Sequence, residues 1–250
     1  MDLKQIVANQ PETELVYLSD SYAKTVKSNI TRVVPDEKKA VYFLLDGTIF
    51  HPKSGGQPSD IGKVVGKDFE LEVRKAMMVQ GKVVHWAKVL NGTPQNGGAE
   101  SQIDWGLRYF SMRRHSAGHL FDHCLTKVSG ANVQTVDSWV GDDAYIGYSG
   151  TLPTQAQLTA AENMENRIIS KHAQITATFT TKENLLKKAP HAPNMSRLPN
   201  FDKLRIVTIQ GSDPIPCGGT HLKDISEIGS FRITKHETVP SGFRVYFDVL

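Results

Sequence analysis

Four residues in two short segments have the types and spacing needed to bind a metal ion together. His115 and His119 lie four positions apart, and Cys217 and His221 repeat that spacing within the sequence CGGTH. Three imidazoles and one thiolate form a donor set that suits Zn²⁺ better than other common biological metals. A single pair would be weak evidence, because most isolated cysteines are small buried apolar residues. The two pairs together predict one shared zinc site.

A helix over residues 104–128 would place the first pair on one face, since residues four apart lie one turn above each other. Asp104 is a suitable N-cap for this helix. An apolar stripe near the 3.6-residue period supports it, and it comprises Leu107, Phe110, Ala117, Leu120, Phe121, Cys124 and Leu125. His123 continues the four-residue spacing and is a competing ligand, whereas Cys124 is expected in the core.

The second pair is predicted to lie on a tight loop. Gly218 and Gly219 disfavour a helix between the two ligands, and Pro214 and Pro216 precede them. Glycines at such a position allow the backbone to approach a metal or a substrate closely.

Composition is consistent with a globular protein of the cytoplasm. The 250 residues are 39% hydrophobic, carry a formal net charge of +3, and include only two cysteines. The mild basicity permits a nucleic-acid partner, and a metal-bound thiolate suits a reducing compartment. The N-terminus lacks a signal-peptide pattern, and the longest apolar stretch, Ala40–Leu45, is too short for a bilayer, so no membrane association is expected.

The first part of the chain is predicted to form a small β-barrel-like domain over residues 1–95. Short apolar or alternating runs separated by turn residues indicate strands at Glu14–Leu18, Tyr22–Val34, Ala40–Phe50, Phe69–Ala76 and Lys82–Val89. The glycine- and asparagine-rich residues 91–98 are interpreted as a linker.

The second predicted domain covers residues 100–250. After the metal-pair helix, we expect strands across Ser138–Tyr148, a helix from Gln155 to Lys171, further strands near Gln174–Thr180 and Leu204–Gln210, and a hairpin across Phe231–Val249. Helices segregated onto antiparallel sheets indicate the α+β class.

The two metal-pair segments resemble the metal-binding signatures of the alanyl-tRNA synthetase editing domain and of its free-standing relatives, the AlaX alanyl-tRNA editing proteins. Three further stretches are similar: Phe50–Gly62 to the family's glycine-rich motif, Leu158–Ile169 with Glu162 and Asn166 to a following helix, and residues 227–244 to a C-terminal hairpin. The resemblance extends from about residue 40 to residue 250.

The resemblance implies a barrel-like N-terminal domain and an α/β-sandwich zinc-binding editing domain. It also implies an activity, the hydrolysis of the ester in tRNA(Ala) that is mischarged with serine or glycine. Zinc would acidify a bound water or polarise the ester carbonyl. No Ser–His–Asp arrangement is apparent, so the zinc-bound water is the expected nucleophile and no side chain is assigned a catalytic role.

Recognition of serine requires a polar group that faces its hydroxyl. In the family, a Thr or Gln follows the first metal histidine by about twenty residues, which corresponds here to Thr135 with Gln134 beside it. The alternative is that Thr135 is an ordinary strand residue. The family often carries an acid at the position of Gly147, and Asp142 and Asp143 are the nearby substitutes.

The predicted tRNA contacts lie in two places. Gly55, Gly56, Gln57 and Asp60 belong to the glycine-rich segment, which either approaches tRNA or only forms a turn; a P-loop is excluded because no Gly-Lys-Ser/Thr follows. Arg113 and Arg114, next to the metal histidines, could bind the phosphates of the acceptor end or remain solvated surface charges.

A non-catalytic protein is the alternative to an enzyme. Four protein ligands are typical of a closed structural zinc site, whereas a catalytic zinc keeps an open position. A zinc with these four ligands could expand its coordination, lose a ligand when substrate arrives, or only order the pocket. In the last case the chain could be a zinc-stapled RNA- or partner-binding module. Similar metal spacing in threonyl-tRNA synthetases makes a different mischarged tRNA a variant of the enzymatic hypothesis.

Overall fold

Six antiparallel strands close into a barrel in the first of two units of the protein, in a computed structural model that describes residues 2–194 and 203–250. This unit contains Met1–Ser54 and Pro58–Tyr109. The barrel strands, in the order in which they pair around the barrel, are β2 (Thr25–Asp36), β3 (Ala40–Leu45), β7 (Lys82–Gly92), β6 (Phe69–Val79), β5 (Gly62–Gly66) and β8 (Gly97–Ile103). Four short elements complete the unit: α1 (Leu3–Val7), β1 (Glu14–Leu15), α2 (Val16–Ser19) and β4 (Gly47–Thr48).

Alternation of side chains fills the barrel interior. In β6, Phe69, Leu71 and Val73 are buried while the residues between them are half-buried, as expected for a strand with one face toward a core. They pack with apolar residues of the other strands, including Ile30, Phe43, Leu45, Val64 and Val83. The predicted barrel is therefore confirmed.

The interpretation of residues 91–98 as a linker is wrong. Asn91 and Gly92 end β7, and Gly97 and Gly98 begin β8, which pairs with both β2 and β5 to close the barrel. The buried positions of β8 are Ala99, Ser101 and Ile103, of which the first two are small and only the third is a large apolar residue. The hydrophobic alternation of this strand is too weak to be recognised in the sequence. The strand forms because its backbone pairs with neighbours on both sides.

The second unit contains Gly55–Gln57 and Phe110–Leu250. Its larger sheet has the order β14 (Phe231–Val239), β15 (Gly242–Val249), β10 (Tyr145–Tyr148) and β9 (Thr135–Trp139). A smaller sheet contains β11 (Ile175–Thr180), β12 (Leu204–Ile209) and β13 (Ile215–Pro216), and the other elements are α4 (Gln155–Ile169), α5 (Lys182–Lys188) and a 3₁₀ helix at Ile225–Ile228. The mixture of helices and strands agrees with the fold class predicted from the sequence. The arrangement of the second domain as an α/β sandwich stays a prediction.

The predicted metal-pair helix is α3, Trp105–Ser129, whose first five residues belong to the first unit. Asp104 is its N-cap, because its carboxylate accepts a 3.1 Å hydrogen bond from the amide of Leu107. Ala117, Leu120 and Phe121 are buried as the apolar stripe predicts, whereas Leu107 is 53% exposed. Among the described residues, no helix has both the length and the apolar character required to cross a bilayer.

Two polar side chains of α4 bind the edge strand β14. The amide of Asn166 accepts a hydrogen bond from the backbone nitrogen of Phe231 and donates one to its carbonyl, both at 2.8 Å. Glu162 accepts a 2.7 Å bond from the amide of Ile233. These contacts satisfy backbone groups that an edge strand would otherwise leave unpaired.

Candidate metal centre

The four predicted ligands converge in the second unit. His115 and His119 lie one turn apart on α3, and Cys217 and His221 follow β13. One donor atom from each of the four side chains lies within 4.8 Å of every other. Cys217 Sγ is 3.4 Å from Nε2 of His115 and 3.3 Å from Nε2 of His221.

The two sulfur–nitrogen distances fit a tetrahedral metal site. With Zn–N bonds of about 2.0–2.1 Å and Zn–S bonds of about 2.3 Å, a tetrahedral ion separates sulfur from nitrogen by about 3.5 Å. His119 Nδ1 is buried and has no hydrogen-bond partner among the described residues, which is compatible with a ring nitrogen that binds a metal. The cluster can therefore bind a metal, and its donors are those of a zinc site.

Hydrogen bonds orient two of the imidazoles. Gln57 Oε1 lies 3.0 Å from Nδ1 of His115 and accepts a 3.0 Å bond from the amide of Thr220, while Gln57 Nε2 donates to the Thr220 hydroxyl at 2.8 Å. Because Gln57 Oε1 is an acceptor, His115 carries its proton on Nδ1 and directs the Nε2 lone pair toward the cluster.

Ser116 has the same role for the second segment. Its hydroxyl lies 3.2 Å from Nδ1 of His221 and accepts a 3.1 Å hydrogen bond from the amide of Leu222. Sequence analysis did not identify Ser116 or Thr220 as supporting residues. Their only sequence signal is a hydroxyl directly beside a predicted histidine ligand.

Hydrogen bonds fix the loop around Cys217. The amide of Gly219 donates to Sγ at 3.3 Å, and Arg205 donates 2.9 Å hydrogen bonds to the carbonyls of Cys217 and Gly219. These bonds hold the sulfur in place beside the imidazoles of His115 and His221. A Cβ at Gly219 would lie 2.1 Å from Cε1 of His115, so this position requires glycine.

His119 is held in the form that can bind a metal. Burial, together with the smaller effect of the positive charge of Arg205, lowers the pKa of its imidazole to about 4. The ring is therefore neutral at neutral pH and has a free lone pair.

Two other residues of the same helix, His123 and Cys124, lie outside the cluster. His123 is half-buried and does not belong to the four-residue cluster. Cys124 is fully buried, as predicted for a core residue, and burial raises the pKa of its thiol.

The glycine-rich segment has mainly internal partners. Gln57 is fully buried at the candidate metal centre, and the carboxylate of Asp60, in the first unit, is paired with the buried guanidinium of Arg108. Gly56 has a φ of 83°, and its carbonyl accepts a 2.8 Å bond from the amide of Val140. The structure thus favours a shaping role for Gln57, Gly56 and Asp60, and tRNA contact by the exposed Gly55 stays a prediction.

Both predicted phosphate-binding arginines make internal contacts. Arg113 donates to the carbonyls of Ile228 and Leu250, the latter at 2.7 Å. Arg114 is 7% exposed and forms a 2.9 Å ion pair with Asp248. Neither residue is the solvated surface charge of the alternative interpretation, and their contact with tRNA stays a prediction.

The predicted serine-recognition residues lie at the start of β9. Thr135 is buried and pairs with Tyr148 of β10, and its amide donates a 2.9 Å hydrogen bond to the carbonyl of Pro193. The carbonyl of Gln134 accepts a 3.0 Å bond from the amide of Ser149. The side chain of Thr135 is thus held on a strand paired with β10.

An acidic side chain occupies the space above Gly147. A Cβ at this position would lie 1.7 Å from Oδ1 of Asp137, the residue opposite on β9. Asp137 also pairs with Arg244 at 2.9 Å and accepts a bond from the Tyr145 hydroxyl at 3.3 Å. The substitutes considered from sequence, Asp142 and Asp143, are instead exposed in a turn.

Replacing Gln57 with alanine is expected to weaken zinc affinity about 10- to 100-fold, because His115 loses the acceptor that fixes its tautomer. Competition with a chelating indicator would measure this, and Gln102→Ala, an exposed position on β8, is the matched control. Unchanged zinc affinity with a raised KM for tRNA would instead favour the originally predicted RNA contact.

Comparison with known proteins agrees with this site. A family model described as the threonyl and alanyl tRNA synthetase second additional domain matches residues 204–246, which contain Cys217 and His221, and a model of class II (A) tRNA synthetases matches residues 2–106. The alanyl-tRNA editing protein AlaX-M of Methanosarcina barkeri is 29% identical over 246 residues, with 95% of this chain and 99% of that protein covered. AlaX-L of Pyrococcus horikoshii is 31% identical, with 89% of this chain and 54% of that protein covered.

Residues 204–246 thus match the additional domain that alanyl- and threonyl-tRNA synthetases share. The alanine–tRNA ligase of Pyrobaculum neutrophilum is 28% identical over 94% of this chain but only 27% of that enzyme. Over most of its length the chain is similar to AlaX alanyl-tRNA editing proteins, which confirms the resemblance inferred from the sequence.

Proposed function

We propose that this protein is an alanyl-tRNA editing hydrolase that removes serine, and also glycine, from mischarged tRNA(Ala). The observation that carries the proposal is the set of four metal donors within 4.8 Å of one another, in a chain related to named alanyl-tRNA editing proteins. The bond to be broken is the ester between the amino acid and the terminal ribose. We place this activity in the cytoplasm.

Zn²⁺ is the metal that we propose for the site, held by His115, His119, Cys217 and His221. When bound, it would supply Lewis-acid chemistry to the ester carbonyl or to a water molecule. The residues of this chain hold the ligands in place: Gln57 and Ser116 fix two imidazoles, and Arg205 with the Gly219 amide fixes the loop that carries Cys217. No side chain is proposed as the nucleophile.

Substrate recognition is assigned to the second unit. We propose that the Thr135 hydroxyl pairs with the serine hydroxyl, with Gln134 beside it, and that Gly55 and Arg113 approach the tRNA. The division of the chain into a barrel domain, followed along the chain by an editing domain, is also retained as a proposal.

The presence of four protein donors supports one alternative, a structural metal site. A zinc ion with four protein ligands is saturated in tetrahedral geometry, which is the arrangement of structural sites. In that case the protein would be a non-catalytic, zinc-stapled RNA- or partner-binding module.

Hydrolysis of radiolabelled tRNA decides between the two. Zinc-loaded protein is expected to release serine from seryl-tRNA(Ala), and glycine from glycyl-tRNA(Ala), while alanyl-tRNA(Ala) decays no faster than in buffer. If all three decay at the rate of the buffer blank while the protein still binds zinc, the binding module is the better description.

Replacing Thr135 with valine is expected to lower kcat/KM for seryl-tRNA(Ala) about 10- to 100-fold, because a hydroxyl partner in the site is lost without a change of shape. Hydrolysis of glycyl-tRNA(Ala) should be unaffected, since glycine has no hydroxyl, and Thr135→Ser should retain most of the activity. Equal losses on both substrates would contradict a recognition role.

A further inference from the structure

A buried hydrogen bond links the metal-pair helix to the strand beside β9. The hydroxyl of Tyr148, on β10, donates to Oδ1 of Asp122, on α3, at 2.6 Å. Tyr148 is fully buried and Asp122 is 5% exposed. Asp122 follows His119 by three positions, so it lies about one turn along the same helix. The bond therefore ties β10 to the part of α3 that carries a proposed metal ligand.

Tyr148 is also the residue that pairs with Thr135. The β9–β10 ladder is regular from Tyr145↔Trp139 to Gly147↔Asp137, and then shifts so that Tyr148 lies opposite Thr135. At such an irregularity the ladder does not by itself fix where the next side chain points. A side-chain bond from Tyr148 to another element can fix this position, and with it the position of Thr135.

Burial favours the protonated form of the groups around Asp122. Glu165, on α4, is fully buried, and neither of its carboxyl oxygens has a hydrogen-bond partner among the described residues. Burial raises the pKa of Glu165 well above its usual value, and the negative charge of Asp122 raises it further. Burial and the charge of Asp122 also raise the pKa of Tyr148 well above its usual value, so its hydroxyl keeps the proton that it donates to Asp122.

We propose that Asp122 and Tyr148 form a positioning pair that sets the place of Thr135 relative to the metal-pair helix, and so determines discrimination of serine. Neither residue is proposed to touch the reacting atoms. The inference rests on the proposed function, since it concerns the distance between the ester held at the metal centre and the group that recognises the amino-acid hydroxyl. An error of about 1 Å in such a distance is enough to lower the rate substantially.

The test is Tyr148→Phe, which removes only the hydroxyl and retains the ring that stacks on Phe243 at 5.0 Å between centroids. We expect zinc content to be unchanged, kcat/KM for seryl-tRNA(Ala) to fall about tenfold, and that for glycyl-tRNA(Ala) to change less than twofold. Tyr145→Phe is the matched control, because its hydroxyl bonds Asp137 on β9 and not α3.

A conservative series separates positioning from stability. Asp122→Asn keeps an acceptor for the Tyr148 hydroxyl and should retain more serine discrimination than Asp122→Ala. Equal seryl-tRNA hydrolysis by wild type and Tyr148→Phe, or proportional losses on both substrates, would overturn the inference while the proposed function stands. An inactive wild-type protein would remove the proposed function and the inference together.

Discussion

Replacement of Cys217 by alanine is expected to abolish stoichiometric zinc binding and to reduce seryl-tRNA(Ala) hydrolysis by more than the roughly 10- to 100-fold loss expected for Gln57→Ala. The thiolate is the only anionic donor of the four ligands. Without it, three neutral imidazoles would hold a divalent cation in a largely buried site, where an uncompensated charge is costly. Metal content by mass spectrometry and hydrolysis of labelled seryl-tRNA measure the two effects.

The chain supplies its own control for this experiment. Cys124 lies on the same helix as His115 and His119 but is fully buried outside the cluster, so Cys124→Ala removes a thiol without removing a ligand. It should cost on the order of 1 kcal/mol for the small cavity and leave zinc content unchanged. If Cys217→Ala kept both its zinc and its activity, the proposed ligand set would be wrong. If it kept zinc but lost activity, the sulfur would have a direct chemical role.

The parts of the site that could be predicted from sequence are those fixed by local geometry. The spacing of His115 and His119 has meaning because a helix repeats every 3.6 residues, and the apolar stripe and Asp104 identify that helix independently. The CGGTH segment contains its own loop signal. The apolar alternation of strands such as β6 similarly predicted most of the barrel.

The roles of polar residues were harder to predict, because their partners are distant in sequence. Gln57 was interpreted as a tRNA contact, yet it bonds residues 58 and 163 positions away along the chain. Asp60 similarly pairs with Arg108. An exposed and a buried glutamine look the same in a single sequence, and only the folded chain shows which one has internal partners.

Two features were not predicted because they depend on neighbouring strands: the strand β8, and the position of the acid Asp137 next to Gly147. The residues of β8 are predominantly small or polar, and their order comes from two neighbouring strands. The family resemblance predicted an acid at the position of Gly147, and Asp137 reaches the same space from the adjacent strand. Such compensation is visible only when strand register is known.

Removing one member of the buried ion pair in the barrel unit should produce the largest loss of stability. Arg108 is fully buried; its Nε lies 3.0 Å from Oδ1 of Asp60, and its two terminal nitrogens donate to the carbonyls of Ser21 and Ile49. Asp60→Ala leaves this guanidinium without its counter-ion and is expected to lower the free energy of unfolding by about 3–5 kcal/mol. Urea denaturation followed by circular dichroism measures the change.

The double variant Asp60→Leu with Arg108→Met tests the cause of that loss. A buried ion pair is often no more stabilising than apolar residues of similar volume, so removing both charges should recover much of the stability lost in Asp60→Ala. Lys63→Ala, which breaks the exposed pair with Glu70, should have little effect. If the double variant were as unstable as Asp60→Ala, the pair would matter for its hydrogen bonds to the backbone, including the one from the His51 amide to Asp60, and not for its charge balance. If Asp60→Ala were as stable as wild type but bound tRNA more weakly, the carboxylate would be the nucleic-acid contact first predicted for it.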